Sequence, residues 1–238
     1  MRKRKSEDIE DKSDFRIKIG GTSIFMRKTE FINNEYYHIY NRGVDKREVF
    51  SDSNDFLRFL KGMREFNSNL DKIKRDFVKR KSVSELSSGY PELSSEALVD
   101  IICYCLNPNH YHLVLKQLVD GGISKFMHKL NLGYTHYFNR KYDRSGSLFQ
   151  GAFQAVYIDN DEYFLWVSAY VNINAQLHGI IEKAENYPWC SYPDFLGLRN
   201  GTLCNKKAVL DQFKDLDEYI NFTKESFLTM KDKKMFEE

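Results

Sequence analysis

The chain has 238 residues, 42% hydrophobic and 29% charged, a composition that fills one large domain or one domain with appendages. Its formal net charge of +2 excludes a protein that grips a polyanion by bulk charge, so any nucleic-acid contact must come from locally clustered cations. No run approaches the roughly 20 apolar residues that cross a bilayer. The basic start, Met1 to Lys5, is followed by acidic residues rather than an apolar stretch, unlike a secretory signal.

Four cysteines, Cys103, Cys105, Cys190 and Cys204, are too few for a disulfide framework at this length, and a reducing, cytoplasmic setting is expected. Cys103 and Cys105 are read as small apolar strand residues rather than metal ligands. Tyr (15) and Phe (18) are abundant; most must fill a core, and those beside Lys or Arg suit stacking on unpaired bases.

Residues 1–25 are mixed in charge and lack a period. They read as a mobile tail with a short ordered piece near Phe15 to Ile19. Residues 35–43 form a first strand, with Tyr36, His38 and Tyr40 on one face and Tyr37 and Ile39 on the other. Asn41-Arg42-Gly43 ends it, and Arg42, Lys46 and Arg47 set cations just beyond. Ser53-Asn54-Asp55 opens a helix, in which Phe56, Leu57, Phe59, Leu60, Met63 and Phe66 recur at helical spacing. An insertion over about 67–98 follows, first dense in Lys and Arg and then rich in Ser. Its stretch 72–81 reads either as a solvated charged face or as an arm that touches DNA.

Next comes an apolar strand, 101–106, then Asn107-Pro108-Asn109, which is turn chemistry, then a strand that begins at or near His110. Alternation puts His110 and His112 on one face, about 7 Å apart at the backbone, and Tyr111, Leu113 and Leu115 on the other, facing a core. Two imidazoles so placed can share one metal ion, and the same pair also fits two satisfied core histidines.

After Gly121-Gly122 a long helix runs from Ser124 to about Lys141, with Phe126, Met127, Leu130, Tyr134, Tyr137 and Phe138 as its apolar stripe and Arg140, Lys141 and Arg144 near its end. Residues 148–158 read as a last strand. Asp159 is the expected N-cap of a helix that reaches Leu177 and stops at Gly179. On its apolar face Asn174 is the misfit, four residues beyond Tyr170 and therefore one turn along the same face. A buried amide needs partners, and either a structural hydrogen bond or a site role supplies them. Beyond residue 186, an aromatic patch, Tyr187-Pro188-Trp189-Cys190-Ser191-Tyr192, precedes two short helices.

The order strand-helix-strand-strand-helix-strand-helix predicts an α+β protein. Its core is a ferredoxin-like split βαβ unit: a four-stranded antiparallel sheet with helices on one face, plus a late helix and a helical C-terminal extension. The expected division is a tail over 1–25, a catalytic domain over 26–185 that carries the insertion, and the extension over 186–238.

Taken together, several pieces resemble the HUH endonuclease superfamily, and within it the single-tyrosine transposases of the insertion-sequence 200/605 type and their REP-associated relatives. The pieces are His110-Tyr111-His112 after Pro108-Asn109, Tyr37 to Gly43, Tyr134 to Arg140, Gly146 to Gly151, Tyr170 to Asn174 and Tyr187 to Tyr192. They follow the family's order across about residues 26–195. The resemblance implies that His110, His112 and Asn174 bind a divalent metal, Mg²⁺ or Mn²⁺, and that Tyr170 is the nucleophile. It implies single-stranded or hairpin DNA as substrate, cut and rejoined through a 5′-phosphotyrosine. Arg42, Lys46, Arg47, Arg140, Lys141 and Arg144 are the expected DNA contacts, no membrane is involved, and the chain acts as a monomer or a homodimer. Ala175 stands where relatives usually carry Pro, and Phe149 and Ala152 replace a commoner Trp and Arg, which puts one DNA contact in doubt. Two other readings stay open: a descendant that binds hairpin DNA or RNA without strand transfer, and a metal-dependent hydrolase that uses water.

Overall fold

The structure is a computed structural model that describes residues 14–19, 22–27, 30–68 and 97–232. Most of the insertion, including the stretch 72–81, lies outside the described residues, as do residues 1–13 of the expected tail. Where the sequence pointed only to a short ordered piece, β1 (Asp14–Ile19) and β2 (Thr22–Arg27) pair as an antiparallel hairpin.

The main sheet holds β3 (Tyr36–Arg42), β4 (Val99–Asn107), β5 (His110–Gln117) and β6 (Gln154–Ile158) in the spatial order β4-β5-β3-β6. Every neighbouring pair is antiparallel. With α1 (Ser53–Phe66) between β3 and β4 and α2 (Gly122–Lys141) between β5 and β6, this is the expected split βαβ topology. The last strand is shorter than the sequence pattern indicated. Residues 148–153 form a loop that touches the sheet through one bridge, Gly43 with Phe149.

Alternation along β3 and β5 sorts the sheet into two buried faces. Tyr37, Ile39, Tyr111, Leu113 and Leu115 pack against Phe56, Phe59 and Met63 of α1 and Ile123, Phe126 and Leu130 of α2. The α1 stripe is held in register by a capping box: the Asp52 side chain accepts from the Asp55 backbone N–H, and the Asp55 side chain accepts from that of Asp52. The other face is covered by α3 (Asp161–Leu177), which packs Phe164, Val167 and Val171 on Ile102, Cys103, Cys105 and Val114. Helices on one face therefore describes α1 and α2 only; the sheet is buried on both sides. Cys103 and Cys105 are fully buried, and burial pushes both thiols up from their ordinary range, consistent with small apolar residues.

α3 starts one residue later than expected. Asn160, not Asp159, is the N-cap, its side-chain oxygen accepting from Tyr163 N at 2.8 Å. The chain leaves the helix at Gly179, whose φ of +67° suits a residue without Cβ.

The C-terminal extension is part of this second layer. Tyr187, Cys190, Tyr192 and Phe195, then Val209, Tyr219 and Met230, share a core with α3. They come from α4 (Tyr192–Phe195), α5 (Lys207–Leu210), α6 (Leu216–Asp232) and the segment before them. A buried polar chain joins the parts: Ser191 Oγ accepts from Tyr104 N at 2.9 Å and donates to Asn172 Oδ1 at 2.6 Å, while Asn172 Nδ2 donates to Tyr219 OH at 3.0 Å. No helix of the described residues is long and apolar enough to cross a membrane.

Candidate functional site

The β4–β5 hairpin carries the site. Asn107 and His110 are its closing pair, with Pro108-Asn109 as a two-residue loop. Neighbouring backbone holds that loop: Pro108 O accepts from Val49 N at 2.7 Å and Phe50 N at 3.0 Å, and Asn109 O accepts from Gly43 N at 2.8 Å. The pleat then turns His110 and His112 away from the α1 and α2 core, toward α3. Their ring centroids are 5.1 Å apart, and both side chains are buried.

His110 is held at both ring nitrogens, its Nε2 lying 2.8 Å from Asn107 Nδ2, and His112 at one. His110 Nδ1 lies 2.6 Å from Asn109 Oδ1, an oxygen that only accepts, so Nδ1 carries the proton and Nε2 keeps its lone pair. His112 Nδ1 lies 2.9 Å from His38 Nε2, and His112 Nε2 is buried without a hydrogen-bond partner. Burial pushes the His110 pKa down to about 3, assisted by the charges of His178 and Arg42. Burial likewise drives His112 well below its usual value and His38 to about 4. All three rings are neutral at pH 7, the state in which an imidazole can bind a metal.

Tyr170 and Asn174 reach this pair from α3. The Tyr170 ring stands edge-on to His112 at 5.4 Å and to His38 at 5.9 Å, and parallel to Trp166 at 6.0 Å. One turn on, Asn174 is fully buried; its Oδ1 accepts from Asn107 Nδ2 at 2.5 Å, and its Nδ2 has no hydrogen-bond partner. Four predicted site residues, His110, His112, Asn174 and Tyr170, thus lie together: each pair shares a face of its own element, and the packing of α3 on the sheet brings the two pairs side by side.

A cleft of about 300 Å³ opens beside them, lined by Tyr40, Asn41, Arg42, His110, His112, Gln150 and Gln154 among others. Tyr170, 9% exposed, does not line it. Among the predicted cations only Arg42 does. Lys46 and Arg47 follow on the exposed turn after β3, where Arg47 pairs with Asp45 at 3.2 Å. Arg140, Lys141 and Arg144 stand at the end of α2, off the cleft. Lys141 is engaged there by Asp55 at 2.6 Å and Asp52 at 2.7 Å, and Arg144 donates to Asn139 at 3.0 Å.

Sequence reasoning passed over three polar residues of the site. His38 shares a strand face with Tyr40, but its nearness to His112 depends on β3 lying beside β5. Asn107, beside Pro108, has the pattern of a turn residue, yet it ends β4. His178 caps α3 with its ring 5.1 Å from that of His110, and continuing the i, i+4 count past Asn174 would have found it.

A divalent metal fits the donors present. Among the described residues no three His, Cys, Asp or Glu side chains are placed to hold one ion, so the set is mixed: two neutral imidazoles and an amide. The orphaned Nε2 of His112 is a buried acceptor that such an ion would explain.

A family model for IS200-like transposases matches residues 69–174, a span that contains His110, His112, Tyr170 and Asn174. Over that span the chain is similar to the IS200-like transposases. No curated protein matches the sequence. Among solved structures the fold is similar to a REP-associated tyrosine transposase bound to a REP hairpin, at 15% identity and a TM-score of 0.51, over 72% of this chain and 85% of that one. At that identity the likeness speaks for the fold, and it agrees with the four-stranded sheet and its flanking helices.

Proposed function

We propose that the protein nicks and rejoins single-stranded DNA, with Tyr170 as the nucleophile and a divalent ion, Mg²⁺ or Mn²⁺, held by His110, His112 and Asn174. The observation that carries this reading is the contact of the Tyr170 ring with His112, one helical turn from a buried Asn174 that no apolar face needs. When bound, the ion supplies positive charge to a scissile phosphate and helps to orient it.

The chain's own residues do the rest. Arg42 sets a permanent cation in the cleft wall, where it draws a phosphate toward the histidines, and Lys46 and Arg47 extend the cationic track along the adjoining turn. Gln150 and Gln154 offer amides to sugar or base edges. The Tyr170 oxygen attacks phosphorus, forming a phosphotyrosine bond as the bond to the 3′ oxygen breaks; in sum, the phenol proton passes to the departing 3′ oxygen. The energy of the broken bond is kept in the new one, so a second 3′-OH can reverse the step and join strands.

Unpaired DNA is the expected substrate, because a nearly buried phenol cannot reach a phosphate inside a duplex. A hairpin beside the cleavage point is expected as well, since the structurally similar transposase is bound to one. The test is incubation of labelled hairpin DNA and Mn²⁺ with the protein, followed by a denaturing gel. Protein-linked label that Tyr170→Phe abolishes, with DNA binding kept, is the expected result. Cleavage that survives in Tyr170→Phe would establish a water-using hydrolase, and binding without any cleavage a hairpin-binding protein.

A further inference from the structure

Asn107 is the last residue of β4 and is fully buried beneath the hairpin. Its Nδ2 lies 2.8 Å from His110 Nε2 and 2.5 Å from Asn174 Oδ1. One NH₂ group therefore donates both of its hydrogens to the two atoms that would ligate the ion. An electropositive group at the point where two ligand atoms converge stands in for a cation. Once a cation takes those lone pairs, the NH₂ loses both acceptors and faces a positive charge.

Full burial leaves Asn107 little room to withdraw, but half a turn of its amide exchanges nitrogen for oxygen at the same spot. That turn costs little on the far side. There the amide oxygen accepts only the weak S–H of Cys105, at 3.4 Å, and a sulfur can accept from the NH₂ that replaces it. We propose that Asn107 is a fourth protein ligand, whose carbonyl oxygen joins His110, His112 and Asn174 on the divalent ion. The inference rests on the metal site proposed above and adds a second amide oxygen to it. The resulting set of two nitrogens and two oxygens is harder than an imidazole pair alone and favours Mn²⁺ over softer ions.

The test is calorimetric titration of Mn²⁺ alone into the full chain, with circular dichroism to confirm folding. Replacing the amide by a hydrocarbon of similar size, Asn107→Leu, is expected to weaken Mn²⁺ binding at least tenfold. Asn107→Asp, which keeps an oxygen at the same place and adds charge, is expected to tighten it at least tenfold. Binding by Asn107→Leu that is unchanged or tighter would overturn the proposal, because the amide would then only obstruct the ion. So would an Asn107→Asp variant that binds no more tightly than the parent, and that arm decides the matter if the leucine variant fails to fold. His110→Ala tests the underlying site separately. If it leaves Mn²⁺ binding intact, the metal reading itself is wrong, whatever Asn107 does.

Discussion

His38 Nε2 lies 2.9 Å from Nδ1 of His112, and both rings are buried, so His112 has only Nε2 left for any other partner. His38 thereby sets which nitrogen of His112 faces a ligand and fixes the plane of the ring. Partners behind a metal-bound histidine typically change metal affinity by 10- to 100-fold when removed. His38→Ala is expected to weaken Mn²⁺ binding by about that factor, with Asn as a partial rescue, since its amide oxygen can accept from Nδ1. Calorimetry decides: equal affinity in His38→Ala and the parent would leave His38 a packing residue.

Arg42 and Lys141 both looked like DNA contacts in the sequence, yet they meet different surroundings. Arg42 lines the cleft, whereas Lys141 lies between Asp52 and the fully buried Asp55. Arg42→Ala should weaken single-strand binding and reduce its log-log salt slope by about 0.7, the loss of one phosphate contact. Lys141→Ala should leave that slope alone and lower thermal stability, since a buried carboxylate loses a charged partner, a loss on the order of 2 kcal/mol. Filter binding across a salt series, with melting curves beside it, separates the two. A reduced slope in Lys141→Ala would return that side chain to the DNA track.

What could be read from the sequence depended on whether the signal was local. His110 and His112 lie two apart on one strand, and Tyr170 and Asn174 four apart on one helix, so each pair follows from the period of its own element. His38 meets His112 only because β3 lies beside β5, and Lys141 meets Asp55 only because α1 packs on α2; neither contact has a period in the sequence. Asn107 was misread because asparagine before proline is such strong turn chemistry that it hid the closing pair of a strand ladder. The sheet topology was legible because the order and spacing of elements leave few alternatives. That the extension covers the second face was not, because its helices are short and irregular.

A metal bound only by the folded chain must raise the melting temperature by mass action. Free Mn²⁺ at a hundredfold excess over its dissociation constant adds about 2.7 kcal/mol. For a chain of this size that corresponds to a rise of roughly 5–11 °C. The rise should vanish in His112→Ala, whose lost ring carries the unpartnered Nε2, and reverse when a chelator is added. Differential scanning fluorimetry with and without Mn²⁺ checks this. A rise of the same size in His112→Ala would place the ion elsewhere.

The polar chain through Asn172 gives the extension its hold on the site helix. Asn172 lies two residues from Tyr170 and is fully buried, and it joins Ser191 to Tyr219. Asn172→Ala takes from the Tyr219 oxygen its Asn172 donor and leaves the Ser191 hydroxyl with the longer bond to Tyr104 O, 3.2 Å. The Tyr219 oxygen so deprived costs about 1–3 kcal/mol. A loss of about 2 kcal/mol lowers the melting temperature by roughly 4–8 °C. Leu228→Ala is the control, because Leu228 is 60% exposed on α6 and its truncation should leave the melting temperature nearly unchanged. Ending the chain at residue 185 goes further, because it strips Tyr187, Tyr192, Phe195 and Tyr219 from the core that α3 shares. The shortened chain is expected to lose cooperative unfolding altogether. If it instead melts sharply and still binds Mn²⁺, the extension is an appendage and the second layer of this fold is dispensable to the site.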